Sequence, residues 1–233
     1  TYQGQGPGEI TIIGHVGIDE TNRRFFVSDH GKLKIFAYDL DSVLTTPEYQ
    51  PSVKIDMKKK LFPDDYLYLN DTLCIAKIIE PIGNNDYKPS VARWNMATGE
   101  INPMPYEYPD LKKVRFIYAA SAEHQLYVQC YTQYDLMTIC DFNGNLKCNT
   151  QHYSLGVEFC GDKILALYSG GDHRTDAYYP TKFLVFDLNG NYLKTLETGY
   201  MITDFCYDKE NNRLIINLND EIQFAYLDLE GII

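Results

Sequence analysis

The densest group of chemically capable side chains lies in one segment, Ser169–Thr181. It combines carboxylates, an imidazole, a guanidinium and two phenols: Asp172, His173, Arg174, Asp176, Tyr178 and Tyr179. Aromatic faces beside hydrogen-bonding groups suit contact with a carbohydrate or a peptide. The alternative is a solvated loop whose tyrosines pack against the strands beneath it and bind no ligand.

Two further segments carry weaker versions of the same signal. The sequence pattern predicts a second long loop at Pro81–Ser90, in which Tyr87 is a candidate ligand contact. Gly4–Glu9 has three glycines and Pro7, which together favour a tight turn, and it places Glu9 beside Gly8. A structural turn is the favoured interpretation of this hexapeptide, and Glu9 is a candidate binding residue within it.

The elements that position these segments follow from a repeat. A phrase of the form apolar residue, Asp or Asn, apolar residue, x, Gly recurs with its polar marker at five positions: Asp39, Asn95, Asp141, Asp187 and Asp228. The spacing of about 41–56 residues matches a four-stranded β-propeller blade. Alternating apolar strands separated by turn residues fill each period, and no stretch has sustained helical periodicity.

The repeat predicts an all-β protein, a β-propeller of four-stranded antiparallel blades in a single domain covering residues 1–233. Five blades are visible, and the fifth stops after its third strand. Either Thr1–Gln5 closes a five-bladed ring, or an N-terminal blade or closing strand preceded Thr1. In a propeller, the loops between second and third strands share a face with the blade-to-blade connections, so Gly4–Glu9 and the two long loops are expected on one face.

A family resemblance rests on the hexapeptide Gly4-Gln5-Gly6-Pro7-Gly8-Glu9 and on the aspartates of Ile18-Asp19 and Val27-Ser28-Asp29 that follow it. Here the sequence resembles the TolB-like six-bladed β-propeller family, exported proteins and lipoproteins of gut Gram-negative bacteria. The resemblance implies six blades, export to the periplasm or the outer-membrane surface, a possible lipid anchor in the precursor, and no established catalytic activity.

Catalytic signatures are missing from the sequence. There is no Gly-x-Ser-x-Gly nucleophile turn, and the histidines are scattered singly along the chain: His15, His30, His124, His152 and His173. We therefore predict no catalytic residue, no metal and no cofactor. The alternative is a metal-dependent hydrolase or lactonase in the axial channel, to which Glu158 and Asp204 could contribute.

Six cysteines are expected to be buried free thiols: Cys74, Cys130, Cys140, Cys148, Cys160 and Cys206. None forms a Cys-x-x-Cys pair. Cys140 and Cys148 flank the turn at Asn143-Gly144-Asn145, so a disulfide across that hairpin stays open as an alternative.

Charge excludes one class of partner. The chain has 21 Lys and Arg against 32 Asp and Glu, a net charge of −11, and its single basic run is Lys58-Lys59-Lys60. A nucleic-acid-binding protein needs a basic face, so nucleic acid is excluded. No apolar run is long enough for a transmembrane helix.

The leading hypothesis is a non-catalytic binding module of the cell envelope for a glycan or peptide. Beside it and the hydrolase or lactonase alternative, a third hypothesis is a scaffold that docks proteins.

Overall fold

The structure is a computed structural model, and it describes residues 3–6, 8–83, 86–109, 111, 114–151, 154–169 and 179–233. The chain divides into two compact units, Thr1–Asp110 (unit 1) and Leu111–Ile233 (unit 2). Each unit is built from antiparallel sheets in which strands that follow one another in sequence are hydrogen-bonded neighbours. Those sheets are β-propeller blades, which confirms the predicted fold class.

Unit 1 contains two four-stranded blades. Blade 1 consists of β1 (Ile13–Asp19), β2 (Arg24–Asp29), β3 (Lys34–Asp39) and β4 (Ser52–Asp56), with the short helix α1 (Leu40–Thr45) between β3 and β4. Blade 2 consists of β5 (Phe62–Asn70), β6 (Leu73–Gly83), β7 (Asp86–Asn95) and β8 (Glu100–Pro103).

Unit 2 contains two four-stranded blades and one three-stranded blade. Blade 3 consists of β9 (Phe116–Ser121), β10 (Leu126–Tyr131), β11 (Met137–Asp141) and β12 (Leu146–Thr150). Blade 4 consists of β13 (Val157–Cys160), β14 (Lys163–Tyr168), β15 (Lys182–Asp187) and β16 (Tyr192–Glu197). Blade 5 consists of β17 (Ile202–Asp208), β18 (Arg213–Leu218) and β19 (Phe224–Asp228).

The polar marker of the repeat ends the third strand in all five blades. In blades 3 and 4 its chemistry is the same. Asp141 accepts hydrogen bonds from the backbone N–H groups of Asn143 and Asn145 at 2.8 and 2.9 Å. Asp187 does the same for the corresponding two asparagines. The glycine between them has a φ of +79° in both turns, so the marker phrase encodes the turn that leads into the fourth strand.

Packing between neighbouring blades forms the core. The alternation along β14 shows this directly, because Ile164 and Ala166 belong to the apolar cluster shared with blade 3. Leu165 and Leu167 point the other way and belong to the cluster shared with blade 5. Because both faces of β14 are covered, its four central side chains are buried, which explains the continuous apolar run in its sequence.

Three sequence-based expectations need correction or completion. The segment Pro81–Ser90 is not a long loop, because β6 and β7 extend as a paired hairpin to Gly83 and Asp86. Helix is confined, among the described residues, to the six residues of α1. All six cysteines are free thiols, so the disulfide between Cys140 and Cys148 is not formed. The expected burial is confirmed for Cys74, Cys130, Cys140 and Cys160, whereas Cys148 is half-buried and Cys206 is exposed.

The turn glycines provide a test of blade-to-blade packing. A Cβ at Gly190 would lie 2.8 Å from Sγ of Cys148 in blade 3, whereas a Cβ at Gly231 would meet nothing within 4 Å. Both glycines have positive φ angles, +79° and +70°. We expect Gly231→Ala to lower the free energy of unfolding by about 1–2 kcal/mol. Gly190→Ala should cost about 1–3 kcal/mol more because of overpacking. Equal losses in urea unfolding would contradict the contact between blades 3 and 4.

Candidate functional site

The hexapeptide loop before β1 folds around its own glutamate. The backbone N–H of Gly6 donates a 2.6 Å hydrogen bond to Oε2 of Glu9. A Cβ at Gly6 would lie 2.8 Å from that oxygen, and a Cβ at Gly4 would come closer still. A side chain at either position would displace the Glu9 carboxylate from its present place, so glycine here allows the carboxylate to bond to the Gly6 N–H.

Lys32, in the turn between β2 and β3, stabilises the same loop through hydrogen bonds. Its ammonium donates to the carbonyl oxygens of Gly6 at 2.8 Å and Glu9 at 2.7 Å. It also lies 5.9 Å from the centre of the Phe36 ring. The Glu9 side chain and backbone are thus both engaged in holding the loop together, which agrees with the interpretation of the hexapeptide as a structural turn.

Asp29 anchors the segment that follows the loop. Its side chain is fully buried and accepts hydrogen bonds from the backbone N–H groups of Thr11, Ile12, Gly31 and Lys32 at 2.8–3.1 Å. Burial by itself would raise the pKa of Asp29, but these four amides outweigh it and hold the pKa below its ordinary value. A single ionised carboxylate therefore ties the entry to β1 to the end of β2.

A cavity of about 690 Å³ lies beside this anchored segment, against the face of blade 1 that is opposite to blade 2. Its lining is mainly apolar and includes Ile13 and Val16 of β1, Val27 of β2 and Val43 of α1. Successive side chains along each strand of a blade point to opposite faces of the sheet. Phe26 accordingly packs toward blade 2, while its neighbours face the cavity.

Aromatic rings form one wall of the cavity. Phe25 and Tyr38 stack nearly parallel, with centroids 4.8 Å apart and planes 8° apart, and Tyr49 lies 6.4 Å from Tyr38. The Tyr49 hydroxyl accepts a 3.0 Å hydrogen bond from the backbone N–H of Asp39. Asp39 also caps α1 by accepting from Ser42 N–H at 2.7 Å, so the marker residue of blade 1 positions both the helix and the ring.

The site residues predicted from the sequence lie in different parts of the structure. Glu9 lies in the loop before β1, as described above. Tyr87 is half-buried in β7, where its N–H donates to Oδ1 of Asp86 at 3.0 Å. Tyr179 is half-buried in unit 2. The others lie outside the described residues: Asp172, His173, Arg174, Asp176 and Tyr178. Their roles stay predictions.

Sequence reasoning missed an imidazole–carboxylate pair between the first strands of blades 1 and 2. His15 Nδ1 lies 2.9 Å from Asp65 Oδ1, and the His15 ring lies 4.5 Å from the Tyr66 ring. In catalytic triads such a pair orients the imidazole toward a nucleophile. Ser28, which lies beside Tyr66, is fully buried. No signal in the sequence indicated the pair, because the register shifts in β5 hide the first strand of blade 2 from the repeat pattern.

The two inner-strand carboxylates named for a channel metal lie on β13 and β17. Glu158 and Asp204 each accept a hydrogen bond from the N–H of the following residue, at 3.0 and 2.8 Å. Among the residues that the structure describes, no group of three or more His, Cys, Asp or Glu side chains is arranged to hold a metal ion. In the same part of the chain, no helix is long and apolar enough to cross a membrane.

Comparison with known proteins identifies the fold. A family model described as a 6-bladed beta-propeller matches residues 1–72. This match confirms the resemblance to a six-bladed propeller over that stretch, while the TolB-like name stays a prediction. No curated protein matches the sequence.

Solved structures of low sequence identity share the architecture. A protein of unknown function from Bacteroides caccae has a TM-score of 0.58 at 12% identity, over 94% of this chain and 78% of that one. The extracellular domain of a proposed one-component system from B. thetaiotaomicron has a TM-score of 0.61 at 11% identity, over 94% and 28%. A nidogen/laminin complex contains a chain with a TM-score of 0.61 at 10% identity, over 94% and 76%. These likenesses concern the fold alone.

Asp29 provides a test of the anchor beside the cavity. Because its pKa is lower in the folded chain than in the unfolded chain, its ionised form contributes stability above the unfolded-state pKa of about 3.9. That contribution is lost as the pH falls through the folded-state pKa. We expect Asp29→Asn to lower the free energy of unfolding at pH 7 by about 1–3 kcal/mol, with a smaller difference below pH of about 3.

The matched control is Glu48→Gln, which changes an exposed carboxylate and should alter stability by less than about 0.5 kcal/mol. Urea unfolding at several pH values measures both variants. A difference between Asp29→Asn and the native chain that grows toward acid would contradict the assignment.

Proposed function

We propose that this chain is a non-catalytic binding module of the cell envelope that holds an apolar side chain of a peptide or protein ligand in the cavity of blade 1. The observation that carries the proposal is the cavity itself, about 690 Å³ with an apolar lining and a stacked aromatic wall. Ligand sites are typically concave, mostly apolar and supplied with a few polar groups that fix orientation.

The lining favours a peptide side chain over a sugar. A sugar ring presents hydroxyl groups around its edge, and each buried hydroxyl needs a hydrogen-bond partner. The polar lining side chains are few, namely Gln3, Thr11 and Thr46 beside the Tyr38 and Tyr49 hydroxyls. The Thr11 hydroxyl already donates to the carbonyl of Gly4 at 3.2 Å. An aliphatic or aromatic side chain needs no such partners, so it matches the cavity better.

The similar structures support a binding role outside the cytoplasm. One is an extracellular domain and another belongs to a complex between two proteins, nidogen and laminin. Export, lipid anchoring and envelope location remain part of the proposal. The 172–179 segment, predicted from its residue types as the leading ligand contact, stays a candidate contact in this proposal.

Exposed valines of blade 1 allow a matched test. Val16 and Val43 line the cavity and are 43% and 40% exposed, while Val53 lies on β4 away from the lining and is 48% exposed. Peptides selected from a random display library on the native protein should share a large apolar residue. We expect Val16→Asp and Val43→Asp each to weaken their binding at least about tenfold, because a carboxylate would be desolvated in the complex.

Val53→Asp should leave the affinity of those peptides unchanged, and all three variants should keep the native circular dichroism spectrum. Isothermal titration measures the affinities. Selected peptides that lack an apolar residue, or that bind all three variants equally, would refute the cavity as the site. Selective binding of immobilised glycans that the same two substitutions weaken would show that the ligand is a sugar and not a peptide.

A further inference from the structure

The chain contains two Asn-Gly pairs, and both lie in the turn between the third and fourth strands of a blade. Asn143-Gly144 lies between β11 and β12 in blade 3, and Asn189-Gly190 lies between β15 and β16 in blade 4. An asparagine followed by glycine is chemically labile, because glycine has no side chain to keep its backbone nitrogen away from the asparagine side-chain carbonyl. We propose that Asn143 and Asn189 are deamidation sites that the folded turns protect and that opening of either hairpin exposes. The proposal is independent of the cavity in blade 1.

The nucleophile of this reaction is the backbone nitrogen of the glycine. Hydroxide takes the proton of that nitrogen, which then attacks Cγ of the asparagine. A bond forms between the nitrogen and Cγ, and the bond from Cγ to Nδ2 breaks. Water returns a proton to the leaving nitrogen, so the amide departs as ammonia. A second water opens the resulting succinimide ring at either carbonyl and leaves aspartate or isoaspartate, with nothing oxidised or reduced.

The folded turns hold this nucleophile in place. The N–H of Gly144 donates to the backbone carbonyl of Asp141 at 2.9 Å, and the N–H of Gly190 donates to that of Asp187 at 3.0 Å. Both glycines are buried, whereas the asparagines before them are exposed. The group to be attacked therefore faces solvent, but the attacking nitrogen is buried and hydrogen-bonded. Backbone N–H groups in such bonds react with base in the solvent only when the local structure opens.

The aspartate that ends each third strand holds the rest of the turn closed. The carboxylate of Asp187 accepts hydrogen bonds from the N–H groups of Asn189 and Asn191 at 2.8 and 2.9 Å, and from the Asn191 side-chain amide at 2.8 Å. Asp141 makes the same three bonds in blade 3. These bonds hold the residues on both sides of the glycine. Loss of the carboxylate should therefore let the turn open more often, although the glycine N–H keeps its own acceptor.

Deamidation would prevent the turn from closing as before. Isoaspartate adds one carbon to the backbone before the glycine, so the fourth strand would lose its register with the third. A carboxylate at position 189 would also repel Asp187, to which the Asn189 side chain now donates a hydrogen bond. In blade 4 the glycine that would move is Gly190, which packs against Sγ of Cys148 in blade 3. A brief opening of the hairpin would thus become a lasting change in the packing between two blades.

The test compares the native chain with the chain unfolded in guanidinium at mildly alkaline pH. Cleavage by trypsin after Lys147 and Lys194 places the two sites in separate peptides. Mass spectrometry then follows the change from amide to acid in water labelled with heavy oxygen, of which the product keeps one atom. We expect both sites to react at least about tenfold more slowly in the native chain, because the rate follows the fraction of time that the hairpin is open. Asn145 and Asn191 lie in the same peptides without a following glycine, and they should remain amides over the same time.

Two aspartate variants test each turn separately under native conditions. Asp187→Ala should speed the reaction at Asn189 at least about threefold and leave Asn143 unchanged, because only the turn of blade 4 loses its carboxylate bonds. Asp141→Ala should have the opposite effect. Each variant contains its own control in the unaltered turn, and circular dichroism compares its fold with that of the native chain.

Four results would overturn the proposal. Absence of the reaction in the unfolded chain would show that neither asparagine is a deamidation site. Equal rates in the native and unfolded chains would show that the turns do not protect the asparagines. An unchanged rate in both variants would show that the carboxylates do not keep the turns closed. Acceleration of both sites by either variant would show that the reaction follows unfolding of the whole chain and not the opening of one hairpin.

Discussion

The structure depends on covering both faces of each small antiparallel sheet. A four-stranded blade exposes too much apolar surface to be stable alone, so its neighbours supply most of its burial. The two faces of β14 show the covered case, with alternate residues in two different clusters. Blade 1 shows a face that none of the unit 1 blades covers, because Phe26 packs toward blade 2 while Val16 and Ile18 remain 43% and 60% exposed.

Local turn chemistry determines where each hairpin of the repeat turns, and packing between blades determines how the blades are buried. The marker aspartates of blades 3 and 4 organise their turns through side-chain oxygens that accept backbone N–H groups, which needs no tertiary contact. Each turn fixes the register of the following hairpin, and the register decides which residues face the neighbouring blade. The candidate site uses the same device, since the Asp39 marker caps α1 and places Tyr49 over the cavity.

The sequence predicted most of the strands because their turns and alternation are local properties. It did not predict the first strand of blade 2, where register shifts beside Pro63 and Tyr68 interrupt the alternation. It also treated Pro81–Ser90 as a loop, since proline and glycine there mask a hairpin whose strands continue to Gly83 and Asp86. Loop residues were chosen as the site by residue type. The cavity of blade 1 depends on which face of β2 packs against blade 2, and that is a matter of tertiary packing.

The buried thiols have a consequence for the lifetime of the folded chain. Burial raises the pKa of Cys74 to about 12 and that of Cys140 to about 11, so neither is a reactive thiolate at neutral pH. Unfolding would expose these two thiols together with the buried thiols of Cys130 and Cys160 and restore their ordinary reactivity. In an oxidising solution an unfolded chain with exposed thiols forms disulfides that the folded chain does not contain. Where that oxidation is faster than refolding, the lifetime of the folded protein is set by the height of the unfolding barrier and not by the equilibrium between folded and unfolded states.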